Sequence, residues 1–254
     1  MQAEATAREW WAGRPLAETR WMLELTRLVV DPVFRSRDGI PRGDGRPVVL
    51  LPGFIAGDQT LAVMATWLYR LGYSPQMCGF VGNIDCSQRA LERVERKVAS
   101  LHRRHRRRVA VIGHSRGGHF ARALGAWRPE RVSHAISLGA DLQQMLDVST
   151  PTLLAVGATR RALRLTGRAG AKGCLTEDCE CEFTSHYADV FPVDAVRLTS
   201  IYTKGDGVVR WQRCLVPEAD CIEVDGSHTG LIFNRSAYRA IGFALAAPEL
   251  GGPA

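Results

Sequence analysis

Residues 109–118 read Val109-Ala110-Val111-Ile112-Gly113-His114-Ser115-Arg116-Gly117-Gly118, a short apolar run of β character that stops abruptly at a Gly-x-Ser-x-Gly pattern. That pattern describes a sharp strand-to-helix turn which lifts a serine hydroxyl above the end of a sheet. So tight a turn leaves no room for side chains beside the serine, and glycine stands two residues before and two after Ser115. His119-Phe120-Ala121-Arg122-Ala123-Leu124 then suits the first turns of a helix. A bare pentapeptide of this form arises often by chance. The strand before it and the helix after it make Ser115 a candidate nucleophile rather than a serine in a structural turn.

Upstream of this stretch, Pro47-Val48-Val49-Leu50-Leu51 is a continuous apolar run without alternation, as in a strand covered on both faces, and it ends at Pro52-Gly53-Phe54. Leu61, Met64, Ala65, Leu68 and Leu71 follow at helical spacing. Tyr73 to Gly79 is a weaker strand because it contains Pro75. Ser87 can cap a helix whose apolar face is Leu91, Val94, Val98 and Leu101. Downstream, the helix after Ser115 runs to about Trp127, stopped by Pro129, and Arg131 to Leu138 forms the next strand. Ala195 to Tyr202 and Cys221 to Val224 are two more, and a helix from about Ser236 to Ala247 closes the chain before a Pro/Gly-rich tail. The order β-α-β-α-β-α-β, with right-handed crossovers, predicts an α/β fold: an open, mostly parallel sheet of about six strands flanked by helices on both faces. Such sheets bind ligands at the carboxyl ends of their strands, where Ser115 sits.

Two segments stand outside this alternation. Before the first strand, Pro15 to Val30 reads as a helix with Trp21, Met22, Leu25, Leu28 and Val29 on one face and Glu18 and Glu24 on the other, which favours a helix covering the core over one lying on a membrane. Trp10 and Trp11 precede it in an N-terminal arm. Between Gly139 and Asp194 the chain is too long for a simple connection, and an insertion is expected over residues 140–194. Thr150 and Pro151 open a helix there, with Leu154, Ala158, Ala162 and Leu165 as its apolar stripe opposite Arg160, Arg161, Arg164 and Arg168. The reading favoured for this insertion is a lid over the site; the alternative is an ordinary peripheral helix with a decorated loop.

The 254 residues, 46% of them hydrophobic, suffice for one domain with a sizeable core. No apolar run reaches the length needed to cross a bilayer, and residues 1–9 have neither a basic start nor an apolar secretion core, so a cytoplasmic protein is expected. Of the net charge of +7, much is concentrated in His102-Arg103-Arg104-His105-Arg106-Arg107-Arg108. Cations suit a helix C-terminus, so this run reads first as a solvated face; contact with an anionic or membrane surface is the alternative, and no nucleic-acid motif accompanies it. Seven cysteines, an odd number, leave at least one thiol unpaired within the monomer. Cys174, Cys179 and Cys181 with His186 do not have the spacing of common zinc sites, and free thiols or a disulfide are the expected state. No cofactor and no metal are assigned.

A serine hydroxyl needs an adjacent base, and the base an orienting acid. His228 follows the last strand in the turn Asp225-Gly226-Ser227-His228-Thr229-Gly230, from which a loop residue reaches back across the strand ends. His114 lies inside the turn and is expected to point away from the serine, His119 is on the next helix, and His186 is the serious rival. Asp206, between two glycines directly after a strand and followed by Val208-Val209, is the expected acid, with Asp141 its competitor. The backbone N–H groups of Arg116, directly after the serine, and Phe54, after the first strand, are placed to form an oxyanion hole.

Taken together, Leu51-Pro52-Gly53-Phe54, Gly113-His114-Ser115-Arg116-Gly117-Gly118, Gly205-Asp206-Gly207-Val208-Val209 and Gly226-Ser227-His228 resemble the α/β-hydrolase superfamily, and more narrowly its small bacterial lipase- and esterase-like members. The resemblance covers the chain from about Pro47 to the C-terminal helix, beginning at the strand those proteins usually number third. Many members have His-Gly where this chain has Pro52-Gly53, but the function carried there is a backbone donor. The resemblance implies a serine hydrolase acting on a small-molecule carboxylic ester with an apolar acyl or alkyl part, through Ser115, His228 and Asp206. An acyltransferase or thioesterase would use the same residues, and the superfamily also includes inactive binding proteins.

Overall fold

The computed structural model describes residues 15–251 apart from 38, 169–174 and 176–178. Trp10, Trp11, Cys174 and the end of the C-terminal tail therefore lie outside the described residues. Six strands, β1 (Pro47–Leu51), β2 (Ser74–Met77), β3 (Val109–His114), β4 (Val132–Leu138), β5 (Arg197–Tyr202) and β6 (Ala219–Glu223), form one parallel sheet in the order β2-β1-β3-β4-β5-β6. The expected strands are all present, β1 with its expected ends and the others with ends shifted by at most two residues. Chain composition explains their places. β1, β3 and β4 are buried along their whole length, β1 and β3 mainly through apolar residues and β4 with Ser133, His134 and Ser137 among its apolar ones, whereas Pro75, which has no N–H for a ladder, falls in the edge strand β2.

Alternation along the strands feeds two cores, one on each face of the sheet. Val48 and Leu50 of β1 point to the side covered by α1 (Trp21–Val30), α2 (Pro32–Arg35), α3 (Ala62–Arg70) and α8 (Arg235–Ala246), where Leu28, Trp67, Tyr238 and Ile241 are fully buried. Val49 and Leu51 point to the other side, against α4 (Ser87–His105), α5 (Arg116–Trp127) and α7 (Glu182–Ala188). Burying one such side chain contributes about 1.5–3 kcal/mol, so this double covering is the main source of the fold's stability. The crossover from β1 goes outward to β2, while that from β3 goes the other way to β4. A crevice opens where the directions diverge, outside the carboxyl ends of β1 and β3.

Three helical expectations are corrected. α1 has Leu28 fully buried, but Met22 and Val29 are 59% and 40% exposed, and Glu24, only 8% exposed, faces inward instead. The reason is polar: Glu24 accepts the N–H and the hydroxyl of Ser227, both at 2.8 Å, so α1 packs on backbone donors as well as on apolar side chains. Within the connection from β4 to β5, α6 (Thr150–Leu165) buries Val156 and Leu163, while Leu154 and Leu165 of the expected stripe are 71% and 80% exposed. The orientation of α6 is set where it begins. Val148 bridges to Val209, the Ser149 N–H donates to the Val208 carbonyl at 2.8 Å, and Ser149 rather than Thr150 is the N-cap. Likewise Cys86, not Ser87, precedes the first residue of α4.

The basic run closes α4 at the amino end of β3, the opposite end of the sheet from Ser115. Arg107 pairs with Asp44 at 2.8 Å and Arg108 with Glu249 at 3.1 Å, leaving Arg103, Arg104 and Arg106 exposed. Among the described residues no helix is long and apolar enough to cross a membrane.

Candidate active site

Ser115 stands between β3 and α5 with φ 50° and ψ −121°, a conformation that costs a non-glycine residue about 1–3 kcal/mol. The surroundings hold it there. Its N–H donates to the Leu138 carbonyl of the neighbouring strand at 2.8 Å, and its carbonyl accepts the Gly118 N–H at 2.8 Å. A β-carbon on Gly113 would overlap the Gly117 carbonyl, and one on Gly117 would overlap the Leu51 carbonyl, so both flanking glycines are required by backbone packing. Gly117→Ala is accordingly expected to destabilise the protein by about 3 kcal/mol or more, read as a lowered urea midpoint, because backbone carbonyls cannot step aside as a flexible side chain does.

His228 and Asp206 come from the turns after β6 and β5. Asp206 is almost fully buried, and its Oδ1 accepts the N–H groups of Val208 at 2.8 Å and Val209 at 2.7 Å. Its Oδ2 lies 2.7 Å from His228 Nδ1. An ionised carboxylate only accepts, so Nδ1 carries the proton and Nε2 is left as the basic nitrogen. Burial by itself lowers the His228 pKa, but the charge and hydrogen bond of Asp206, aided by Glu18, raise it above its ordinary value of 6.5. Both groups lie beside Gly139, where a β-carbon would be 3.1 Å from His228 Nδ1 and 3.2 Å from Asp206 Oδ2. Because Ser115 is hydrogen-bonded to Leu138, the three residues gather around one peptide of β4's end.

The competing residues are occupied elsewhere. Asp141 accepts the backbone N–H groups of Gln143, Gln144 and Asp147, which organises the start of the β4–β5 connection, and burial pushes its carboxyl up to about 6. His186 stacks on Trp127 with ring centres 4.5 Å apart and lies 3.5 Å from Asp189. His114, expected to point away from the serine, is engaged by the His228 loop. Its ring lies 4.9 Å from that of His228 and its Nε2 is 3.0 Å from the His228 carbonyl oxygen, so it supports the loop that carries the base. Burial first, then the neighbouring His228, lowers its pKa to about 3.

Phe54 and Ser115 line a common cleft, and Gly53 packs closely on the residues of the turn: a β-carbon there would lie 3.0 Å from His114 Nδ1 and 3.3 Å from Ser115 Cβ. Sequence reasoning assigned Arg116 only a backbone role, but its side chain is buried and multiply bonded. Its guanidinium donates to the carbonyls of Asn83 at 2.6 Å and Asp85 at 2.7 Å, and to Asn83 Oδ1 at 3.0 Å and Ser87 Oγ at 3.1 Å. Asn83 Nδ2 in turn donates to the Pro52 carbonyl at 2.8 Å. This relay ties the start of α5 to the Pro52–Phe54 loop, and no local pattern marks Asn83 as part of it.

The cleft holds about 720 Å³ of empty space, its open mouth included. Its wall is mainly apolar, from Met145, Leu146, Val148, Val156 and Leu175 of the β4–β5 connection together with Val208 and Val209. The inner face of α6, Val156 and Leu163, packs with Leu175 on Phe54. Cys179 also lines the cleft, its sulfur 3.0 Å from that of Cys181. Among the described residues no three His, Cys, Asp or Glu side chains gather as a metal site would require.

No family model and no curated protein matches the sequence. Solved structures do match the fold. A mature Bacillus licheniformis lipase, BlEst2, is similar with a TM-score of 0.57 at 13% identity over 83% of this chain and 95% of that one. A carboxylesterase structure from the thaumarchaeon Nitrososphaera gargenis gives 0.54 at 14% identity over 80% and 90%. Polyneuridine aldehyde esterase gives 0.52 at 16% identity over 80% and 99%. The architecture is the α/β-hydrolase fold.

Proposed function

From an α/β-hydrolase fold, we propose that the chain is a serine hydrolase of carboxylic esters whose acyl or alkyl part is apolar. The observation that carries this reading is the buried His228–Asp206 pair, 2.7 Å apart, at the sheet end where Ser115 is held in its strained turn. Ser115 Oγ attacks the ester carbonyl while His228 Nε2 takes its proton. Asp206 keeps the imidazole in the required tautomer and stabilises the imidazolium that forms. The Phe54 and Arg116 N–H groups stabilise the oxyanion, a contribution of about 3 kcal/mol each to the barrier. His228 then returns the proton to the leaving alcohol, and water resolves the acyl-enzyme by the same steps. The segment between Gly139 and Asp194 serves as the lid, and its apolar side chains select the acyl or alkyl group.

The test is covalent. A fluorophosphonate is expected to modify Ser115, mapped by mass spectrometry, in the unaltered protein and not in Ser115→Ala, with labelling slowed strongly in His228→Ala. Folded protein that does not react would overturn the reading. Hydrolysis of p-nitrophenyl esters graded by chain length then reports how much of the apolar wall the substrate uses.

A further inference from the structure

Ahead of β1, the 3₁₀ turn Pro15–Arg20 carries Glu18, whose carboxylate enters the gap between the loops after β5 and β6. Oε1 accepts the N–H groups of Gly207 and His228, each at 3.0 Å, and Oε2 accepts that of Thr229 at 2.8 Å. Gly207 adjoins Asp206, and His228 and Thr229 open the 3₁₀ turn Thr229–Phe233, whose first donors have no partner within the turn. One side chain thus satisfies donors on both loops. The two loops also meet where the Thr203 hydroxyl donates to the Gly226 carbonyl at 3.0 Å, and the carboxylate adds an anchor at the residues next to Asp206 and at His228 itself.

We propose that Glu18 is a positioning residue of this site: it clamps the Asp206 loop to the His228 loop and thereby sets the contact between Oδ2 and Nδ1. The segment before the first strand is then a working part of the site. This rests on reading Ser115, His228 and Asp206 as the catalytic residues. The titratable groups facing His228 are Asp206 from the loop after β5, Glu18 from the 3₁₀ turn and His114 from β3, with Glu24 of α1 bonded to the adjacent Ser227. His114, with its pKa lowered to about 3, is uncharged in the working range. Glu18 therefore adds a second negative charge near the imidazole, besides that of Asp206.

The experiment compares Glu18→Ala and Glu18→Gln with the unaltered full chain. Glu18→Ala is expected to lower kcat on a p-nitrophenyl ester by about 10- to 100-fold with KM within about twofold, the scale of a small misplacement of reacting groups. Glu18→Gln, which keeps an acceptor but removes the charge, recovers part of that loss and moves the acid limb of kcat/KM to lower pH. Hydrogen exchange supplies a readout independent of turnover: the amides of Gly207, His228 and Thr229 lose protection in Glu18→Ala while those of β3 keep theirs. Unchanged kcat, limb and exchange would overturn the proposal, as would loss of protection throughout the sheet, which would mark Glu18 as merely structural. Failure of Ser115 to react in the unaltered protein overturns the hydrolase reading instead, and the exchange at the three amides still decides the clamp.

Discussion

Ser115→Ala is expected to reduce kcat toward apolar esters by about 10⁴- to 10⁶-fold while leaving the unfolding free energy within about 1 kcal/mol of the unaltered protein. The two halves of this expectation have separate physical grounds. Activity falls because no other group can form the acyl bond, and what remains comes from the oxyanion donors and from binding alone. Stability holds because the strained backbone at φ 50° is imposed by Gly113, Gly117 and the bond to Leu138, none of which involves the serine hydroxyl. Steady-state hydrolysis and urea denaturation of the same preparation check both. Substantial turnover by the folded variant would remove Ser115 from the mechanism.

Asp206→Asn is expected to lower kcat by about 10⁴-fold with the geometry nearly intact. The amide oxygen can still accept the Val208 and Val209 N–H groups, but its NH₂ then faces His228 Nδ1. A donor there requires Nδ1 to accept, which places the proton on Nε2 and leaves nothing to deprotonate Ser115. The pH profile carries a second signature. The general base must be neutral, and the Asp206 and Glu18 carboxylates raise the His228 pKa against the opposing effect of burial, so kcat/KM of the unaltered protein should rise with pH along a limb centred above 6.5. In Asp206→Asn the loss of that charge leaves burial less opposed and the limb moves to lower pH. A limb that stays in place would show that another group governs it.

Much of this protein could be read locally. A strand buried on both faces is dominated by apolar residues, so Pro47–Leu51 and the run into Ser115 were legible, and a turn as tight as the one at Ser115 requires glycine two residues before it and two after. The turns bearing Asp206 and His228 stood out for a similar reason, since each follows a strand and sets glycines beside titratable residues, Lys204 and Asp206 in one and Asp225 and His228 in the other. Amphipathic patterns served less well. The stripe of α6 was assigned to the face that the structure leaves exposed, because that helix makes a small contact with Phe54 and Leu175 and is oriented by the anchor at Val148 and Ser149.

What the sequence by itself determined is the order of strands and helices and the residue types at each strand end, because strand burial, turn strain and capping act over a few residues. Tertiary structure alone decided which polar groups serve those ends. Glu18 meets His228 across 210 residues, Glu24 meets Ser227 across 203, and Arg116 reaches Pro52 through Asn83. A buried backbone N–H requires an acceptor but not one from its own neighbourhood, so the partner is whichever side chain the packing of distant elements delivers.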